Sequence, residues 1–559
     1  MPGEANTDAV DTQPLAETPD HAGAFPRLDE YQIQELSREG FRRPTEAGEV
    51  LYREGDASCD FIVILSGKVK IVEGFGSGQE RTIGVHGPGR FLGELNLLTG
   101  EAVFVTAVVA EPGEVLIVPV ERLREVVARI PGLGDVILRA YLQRRSLLIG
   151  LGSGLRIIGS RYSPDTKRIR EFATRNRLPH RWIDLERDAA AEALMRTLGI
   201  RPEETPVVIL GNNRVLRNPS NAELARVIGL SPRAMTSGSC DLVVIGAGPA
   251  GLAAGVYGAS EGLDTILLDC TATGGQASLS PRIENYLGFP SGISGSELAE
   301  RAVIQAHKFG VHITVPAEAR GLGTRDGYQV VHLDDGTTIT SRAVLISTGA
   351  RYRRLDVPGL ERFEGISVHY AATEAEVQVC RGAPVAVVGG GNSAGQAAVS
   401  LSTAATKVHL LIRHDELGRD MSRYLVDQIE QNPKIEVHHN AEVRELVGDD
   451  VLELIVVEDT TTGERTRLPV RALFVFIGTE PQTAWLNGEL ALDDHGFVLT
   501  GEAAASSAEG NGGTPLLLET SRPGVFAAGD VRSGSVKRLA SAAGEGAMSV
   551  RLVHERLQA

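Results

Sequence analysis

The residues best suited to chemistry in this 559-residue chain belong to two glycine-rich turns. The first turn follows an apolar run that begins at Asp241, and its glycines are Gly246, Gly248 and Gly251. In such a turn the first glycine allows a tight bend, the second lets a phosphate approach the backbone, and the third lets a helix pack on the strand. The N-terminus of that helix then faces the negative charge. The pattern therefore predicts a dinucleotide site.

A second copy of the turn lies further along the chain, at Gly389, Gly391 and Ala394. The two copies differ at the end of the next strand, where the first has Asp269 and the second has Arg413 followed by His414. An acid at this point binds a free ribose 2′-hydroxyl, whereas a cation suits a 2′-phosphate. The asymmetry predicts FAD at the first turn and NADPH at the second, with NADH as the alternative.

Cysteine chemistry is poorly supported, because the chain has only Cys59, Cys240, Cys270 and Cys380. These cysteines are far apart, and no two of them form a C-x-x-C. Disulfide frameworks and zinc sites need numerous or closely spaced cysteines. We therefore expect four reduced thiols and no metal site.

The chain is acidic, with a formal net charge of -16. Such a chain repels phosphate backbones, so we expect no nucleic-acid partner. Its start lacks the basic, apolar and small-residue order of a signal peptide. Residues 242–260 are uncharged and long enough for a membrane span, but five glycines and Pro249 interrupt them in the dinucleotide pattern. We expect a cytoplasmic protein without membrane association.

The N-terminal part begins with residues 1–25, whose polar composition predicts a disordered tail. Residues 26–148 then carry short β-rich runs at 61–65, 69–71 and 108–109, divided by glycine-containing turns such as 66–67, and a helix at 119–127. With the turn at 54–56 and the segment 89–95, this region resembles the β-roll of cyclic-nucleotide-binding domains.

That resemblance implies a phosphate cassette at Gly93, Glu94 and Leu95, in which Glu94 would hold the ribose hydroxyl. The family's phosphate-binding arginine is missing, and Phe104 stands in its region. A phenyl ring cannot replace a bidentate guanidinium–phosphate contact. A fold kept for packing or for another ligand is therefore favoured over ordinary cyclic-nucleotide binding.

Residues 150–230 form a second small unit. The unit has strands at 155–158, 180–184 and 205–209 and helices at 165–176 and 221–228. We assign these to a β-α-β-α-β-α order, which resembles thioredoxin or glutaredoxin. The family's redox cysteines would lie at 159–165, which contain none, and without a thiolate there is no dithiol exchange. We expect a degenerate scaffold or docking module, followed by a linker at 231–239.

From about Cys240 onward, the chain resembles the low-molecular-weight thioredoxin reductases. The likeness rests on the two turns and on the segments 274–276, 283–290, 347–350, 525–531 and 537–546. It implies an α/β fold with two Rossmann-like domains, an FAD domain at 240–354 and 478–559 and an inserted NADPH domain at 355–477. It also implies two domains that rotate, and a homodimer.

The resemblance and the motifs together assign the cofactor residues. For FAD they are Gly246, Gly248, Pro249, Ala250, Gly251, Asp269, Gly275, Gln276, Asn285, Gly349, Gly529, Asp530, Arg538 and Ala540. For NADPH they are Gly389, Gly391, Asn392, Ser393, Ala394, Arg413 and His414, where the family has two adjacent arginines; Arg419 offers a further cation.

The chain departs from the family at the active-site dithiol, because Ala371 and Glu374 take the two cysteine positions. His369 and Tyr370 flank them and could contact an acceptor, although packing is favoured. The electron acceptor therefore remains open, and no catalytic side chain is assigned. A non-disulfide acceptor competes with disulfide reduction through a partner's thiols and with a non-enzymatic flavin sensor.

Overall fold

The computed structural model describes residues 15–56, 59–76, 80–93, 102–188, 191, 195–196, 199–210, 214–230, 239–364, 366–372, 376–377, 380–449, 451–505 and 514–558. By their internal contacts, residues Met1–Arg233 form one unit and residues Ala234–Ala559 form another. None of the helices in the described part combines the length and apolar character needed to cross a bilayer.

The first unit begins with an antiparallel β-roll. Its described elements are α1 (Glu30–Glu39), β1 (Phe41–Thr45), β2 (Val50–Tyr52), β3 (Phe61–Glu73), β4 (Arg81–His86), β5 (Phe91–Leu92), β6 (Thr106–Val118), α2 (Val120–Arg129) and α3 (Pro131–Leu151). The sheet order is β1-β6-β3-β4, with β2 on β6 and β5 on β3. A capping box between Asp29 and Gln32 starts α1.

The β-roll differs from the sequence expectation in two places. The runs at 61–65 and 69–71 form the single strand β3, because Gly67, at φ 82°, and the register shifts around it absorb the predicted turn as a bulge. Residues 15–25 of the predicted disordered tail lie on β4, where the Thr18 amide donates to the Val85 carbonyl at 3.0 Å. The tail's residues 1–14 lie outside the described residues.

The second module of this unit comprises β7 (Leu155–Gly159), α4 (Pro164–Arg175), β8 (His180–Asp184), β9 (Val207–Leu210), β10 (Arg214–Arg217) and α5 (Asn221–Ile228). Its sheet order is β10-β9-β7-β8, with β7 and β8 parallel and the other pairs antiparallel. Ser163 and Ser220 begin α4 and α5 by accepting hydrogen bonds from backbone amides of the first turns.

The second unit is built on a mostly parallel sheet. Its elements are β11 (Ser239–Ile245), α6 (Pro249–Ser260), β12 (Thr265–Leu268), α7 (Gly295–Lys308), β13 (His312–Thr314), β14 (Ala319–Arg325), β15 (Tyr328–Leu333), β16 (Thr338–Ile346) and, much later in the chain, β27 (Val525–Ala527), α12 (Leu539–Gln558) and the short α11 (Glu502–Ala505). The order is β13-β12-β11-β16-β15-β14, with β27 parallel to β16. Helices α6 and α12 cover the same face.

A second parallel sheet is inserted between β16 and β27. Its elements are α8 (Leu360–Phe363), β18 (Val368–His369), β19 (Pro384–Val388), α9 (Asn392–Ser402), β20 (Lys407–Leu411), α10 (Arg423–Glu430), β21 (Ile435–His438), β22 (Ala441–Val447), β23 (Leu454–Asp459), β24 (Arg465–Pro469) and β25 (Ala472–Val475). The order of the sheet is β18-β25-β19-β20-β21, and strands β22-β23-β24 form a separate antiparallel sheet.

The chain enters and leaves this insert through an antiparallel ribbon formed by β17 (Ala350–Tyr352) and β26 (Thr479–Pro481). Each parallel sheet carries a glycine-rich turn between its central strand and the next helix, β11 to α6 and β19 to α9. The predicted α/β class, with two Rossmann-like domains after an N-terminal β-domain, is confirmed.

Candidate active site

The first glycine-rich turn has the close backbone contacts that its sequence predicts. A Cβ at Gly246, where φ is 105°, would lie 2.3 Å from the Ser347 carbonyl oxygen, and a Cβ at Gly251 would lie 1.8 Å from the Gly246 oxygen. The nearest atom to a Cβ at Gly248 is the Gly275 Cα, at 3.9 Å. Gly248, the N-cap residue of α6, provides no side-chain cap. The backbone at Gly248 is thus open to a phosphate group that the helix N-terminus would attract.

Asp269 follows β12 directly, as predicted, and its carboxylate organises the loops around the turn. It accepts hydrogen bonds from the amides of Ala247 at 2.9 Å, Thr271 at 2.9 Å and Ala272 at 3.0 Å. The same carboxylate that would meet a ribose therefore also holds the turn in place.

The segment after β27 brings Gly529 and Asp530 to the same turn. A Cβ at Gly529 would lie 3.0 Å from the Ala250 Cβ, and the Gly529 amide donates to Glu545 Oε2 at 2.7 Å. Burial raises the pKa of the Asp530 carboxyl, while the nearby Lys537 lowers it. No hydrogen bond to this carboxylate comes from the described residues, so Asp530 is available to accept one from a cofactor hydroxyl.

The remaining residues expected at FAD surround this centre. Gln276 donates its side-chain amide to the Ala350 carbonyl, and Gly275 packs on Gly248. Gly349, at φ 68°, accepts from the Gln482 amide at 3.1 Å. Three residues are exposed: Asn285 on the loop before α7, and Arg538 and Ala540 at the start of α12. The glycine turns, Asp269 and Asp530 thus come together, and they fit an adenine dinucleotide with a free ribose.

The second turn repeats the geometry. A Cβ at Gly389, at φ 137°, would lie 2.3 Å from the Phe476 carbonyl oxygen, and Ala394 is fully buried. The nearest atom to a Cβ at Gly391 is 4.0 Å away, and Gly391, the N-cap residue of α9, provides no side-chain cap. Asn392 has a positioning role, since its Oδ1 accepts from the Ser422 amide at 2.7 Å.

A basic cluster lies beyond β20 at the same end of the sheet. Arg413 Nε donates to His414 Nε2 at 3.2 Å, and Arg419 Nη1 lies 3.1 Å from His414 Nδ1. Both arginines are exposed, and the Asp420 carboxylate is 3.8 Å from His414. Exposed guanidinium groups in this position suit a ribose 2′-phosphate.

Three contacts link the inserted domain to the ribbon and to the loop between β12 and α7. The Tyr352 hydroxyl, on the ribbon, donates to the Ser393 hydroxyl at 3.1 Å. Ser280 and Gln396 are 3.4 Å apart, as are Gln428 and Glu284. The sequence patterns do not single out Tyr352, although it follows the crossover at 347–350. These contacts hold α9 and α10 against the ribbon and against the loop between β12 and α7.

At the expected dithiol position, β18 ends at His369, and Ala371 is partly exposed. Glu374 lies outside the described residues. His369 packs on Phe474 with ring centroids 5.2 Å apart, and the Tyr370 hydroxyl donates to Glu364 at 3.0 Å. Both contacts fit the favoured packing role. Cys380 is buried, and burial raises the pKa of its thiol to about 11, which opposes thiolate formation.

The cyclic-nucleotide-like cassette is described only at Gly93, because Glu94 and Leu95 lie outside the described residues. A Cβ at Gly93 would lie 2.4 Å from the Asp60 carbonyl oxygen. Phe104 is 8% exposed and packs in one apolar cluster with Leu155 and Phe172 of the second module. The side chain found where an arginine is expected therefore contributes to packing between modules.

Comparison with known proteins agrees with this arrangement. Residues 240–546 match the pyridine nucleotide-disulphide oxidoreductase family, and residues 42–130 match the cyclic nucleotide-binding domain. The chain is 35% identical to the thioredoxin reductase of Eremothecium gossypii over 318 residues, 55% of this chain and 95% of that protein. It is 33% identical to the 34.2 kDa protein in the rubredoxin operon of Clostridium pasteurianum over 309 residues, 55% of this chain and 94% of that protein.

Solved structures give the same result. The thioredoxin reductase of T. acidophilum aligns with a TM-score of 0.53 at 30% identity, covering 57% of this chain and 99% of that one. The thioredoxin reductase of Lactococcus lactis, in its FR conformation, aligns with a TM-score of 0.52 at 27% identity, with the same coverages.

The protein belongs to the pyridine nucleotide-disulphide oxidoreductase family. Within that family it is a thioredoxin reductase-like flavoenzyme, an oxidoreductase whose relatives use FAD and NADPH, and it carries an N-terminal cyclic-nucleotide-binding-type domain. The predicted resemblances to thioredoxin reductases and to cyclic-nucleotide-binding domains are confirmed, as are the enzyme class and the cofactors.

Proposed function

We propose that this enzyme transfers electrons from NADPH, through FAD, to an acceptor that is not reduced through a dithiol of the enzyme itself. The absence of any C-x-x-C among its four cysteines carries the proposal, because the internal relay of a dithiol needs two neighbouring thiols. The buried Cys380 is a poor substitute, since its thiol stays protonated near neutral pH.

The side chains divide the work between binding and orientation. Bound FAD supplies the hydride-accepting and electron-transfer chemistry. The backbone at Gly248 and Gly275 receives the pyrophosphate, and Asp530 accepts from a hydroxyl of the cofactor. Arg413 and Arg419 would bind the 2′-phosphate of NADPH, and the Tyr352–Ser393 contact holds the second turn against the ribbon.

Two acceptor classes merit direct comparison. The name of the Clostridium pasteurianum relative places it in a rubredoxin operon, which favours testing a one-electron iron–sulfur protein. Several relatives are named thioredoxin reductases, which favours disulfide reduction with thiols that a partner supplies.

An acceptor screen on the full-length, FAD-loaded chain tests the proposal. NADPH oxidation is measured with a quinone, with rubredoxin, and with thioredoxin plus the disulfide reagent DTNB, each with and without a cyclic nucleotide. We expect turnover with quinone or rubredoxin and none with thioredoxin. Efficient thioredoxin turnover would overturn the proposal, and slow anaerobic flavin reduction by NADPH in stopped flow would instead indicate a sensor.

A further inference from the structure

Two histidines and a glutamate come together at the edge of the inserted parallel sheet, on strands β20 and β21. His409 on β20 is the register partner of Glu436 on β21, and Leu411 is the partner of His438. Because alternate residues of a strand face the same side, Glu436 and His438 share a face, and adjacent strands lie only about 4.8 Å apart. The pairing therefore places all three side chains on one face.

The distances suit coordination of a single ion. His409 Nδ1 and His438 Nε2 are 3.0 Å apart. The carboxylate oxygens of Glu436 lie 3.7 Å from the first nitrogen and 3.9 Å from the second, and one ligand atom from each residue falls within 4.8 Å of the others. Two nitrogens bound tetrahedrally to one zinc ion at about 2.0–2.1 Å are themselves roughly 3.3–3.4 Å apart, so binding requires only a small movement of the rings.

The environment leaves the ligands usable. His409 is 6% exposed, so its ring is held in place within the sheet. The Glu436 side chain is 46% exposed and provides access from solvent. Lys407 forms an ion pair with Glu436, and a bound metal ion would displace its ammonium group from the carboxylate.

We propose that His409, Glu436 and His438 form a binding site for one divalent transition-metal ion of the zinc class, with water completing the coordination. Imidazole and carboxylate are ligands that zinc accepts, and a set of three protein ligands leaves a position open. The site is separate from the dinucleotide turns: the ion would join β20 to the edge strand β21, on the strand that leads to Arg413.

Equilibrium dialysis of the full-length, untagged, FAD-loaded protein against buffered zinc tests the site, with bound metal measured by mass spectrometry. We expect one zinc per chain. His409→Gln or His438→Gln should weaken binding at least about tenfold, because even outer-shell changes at metal sites cost about that much. Lys407→Met should strengthen binding about tenfold or less, by removing the competing ammonium.

His439→Gln is the matched control, since His439 is an exposed neighbour on the same segment and lies outside the cluster. It should bind zinc as the natural chain does. Zinc should also raise the melting temperature of the natural chain and of this control, but not of His438→Gln. His438 is less buried than His409, so His438→Gln keeps the test valid if His409→Gln misfolds.

Zinc binding that survives both His409→Gln and His438→Gln would overturn the proposal, as would equal loss in His439→Gln. Failure of the natural chain to bind zinc at micromolar free metal would also overturn it. A flavin spectrum and an unfolding curve recorded without zinc confirm that each variant is folded.

Discussion

Arg413 and Arg419 approach His414 from its two ring nitrogens, and both guanidinium groups remain exposed. Among the described residues, Asp420 contacts this cluster through His414, with its carboxylate 3.8 Å from that ring. The two exposed guanidinium groups suit a phosphate, and we expect their charge to favour NADPH over NADH.

Arg413→Ala should raise the KM for NADPH by roughly 10- to 100-fold, because a hydrogen bond to a charged group contributes about 1.5–3 kcal/mol. The KM for NADH, which has no 2′-phosphate, should change little. Arg465→Ala is the control, since Arg465 pairs with Glu458 on the antiparallel sheet. Parallel steady-state kinetics with both nucleotides provide the measurement, and equal effects on the two would contradict the assignment.

The Asp530 carboxylate should lower the stability of the FAD-free chain while it favours FAD binding. Burial raises its folded-state pKa, so stability is lost as pH rises from the unfolded value, about 3.9, through the folded one. Asp530→Asn should therefore make the FAD-free chain more stable at pH 7, and the gain should shrink as the pH falls toward 4. The same change should weaken FAD binding about tenfold.

Denaturant unfolding of the FAD-free variant at several pH values, with flavin titrations in parallel, tests both effects. A variant less stable than the natural chain at pH 7 would show that Asp530 is held by contacts within the protein.

At the level of elements, the packing of α12 on α6 depends on the absence of a side chain. A Cβ at Gly546, in α12, would lie 2.0 Å from the carbonyl oxygen of Ala250, in α6. Gly544, two residues earlier, is exposed, and a Cβ at that position would have no neighbouring atom within 4 Å. One helix thus provides both a test site and its control.

Gly546→Ala should force α12 away from α6 and cost about 1–3 kcal/mol of stability, with loss of FAD affinity. Gly544→Ala should instead stabilise the chain by about 0.5–1 kcal/mol, because glycine weakens a helix interior. Thermal unfolding of the two variants provides the comparison. Similar destabilisation by both would mean that helix conformation, and not the α6 contact, decides the result.

Local sequence could predict the two turns because every glycine that makes a close contact lies within a few residues of its strand and helix. The Tyr352–Ser393 contact could not be predicted, since its two residues are 41 positions apart in the chain. The same applies to His409 and His438, which are 29 residues apart and meet only because β20 pairs with β21. Cysteine spacing cannot reveal such a cluster.

For the whole molecule, the second unit is expected to be an independent flavoprotein. Its apolar clusters are built from residue 240 onward, and the matched family begins at the same residue. Relatives of about this length match it almost end to end.

Residues 234–559 expressed alone should therefore fold, bind FAD and be reduced by NADPH at a rate close to that of the full chain. Flavin content and stopped-flow reduction measure this directly. An insoluble or flavin-free product would show that the first unit is needed for folding, while an altered turnover with intact flavin would point to regulation by that unit.

Phe104 joins the two N-terminal modules, and this contact should affect how the modules unfold. It contributes to the cluster of Leu155 and Phe172, the Ala102 amide donates to the Ile228 carbonyl at 2.9 Å, and the Gly154 amide donates to Glu73 at 3.3 Å. Two modules that share an apolar cluster and are joined by hydrogen bonds should unfold together. In native-state hydrogen exchange, the amides of β3 and β7 should therefore lose protection at the same denaturant concentration, and Phe104→Ala should separate them into two steps.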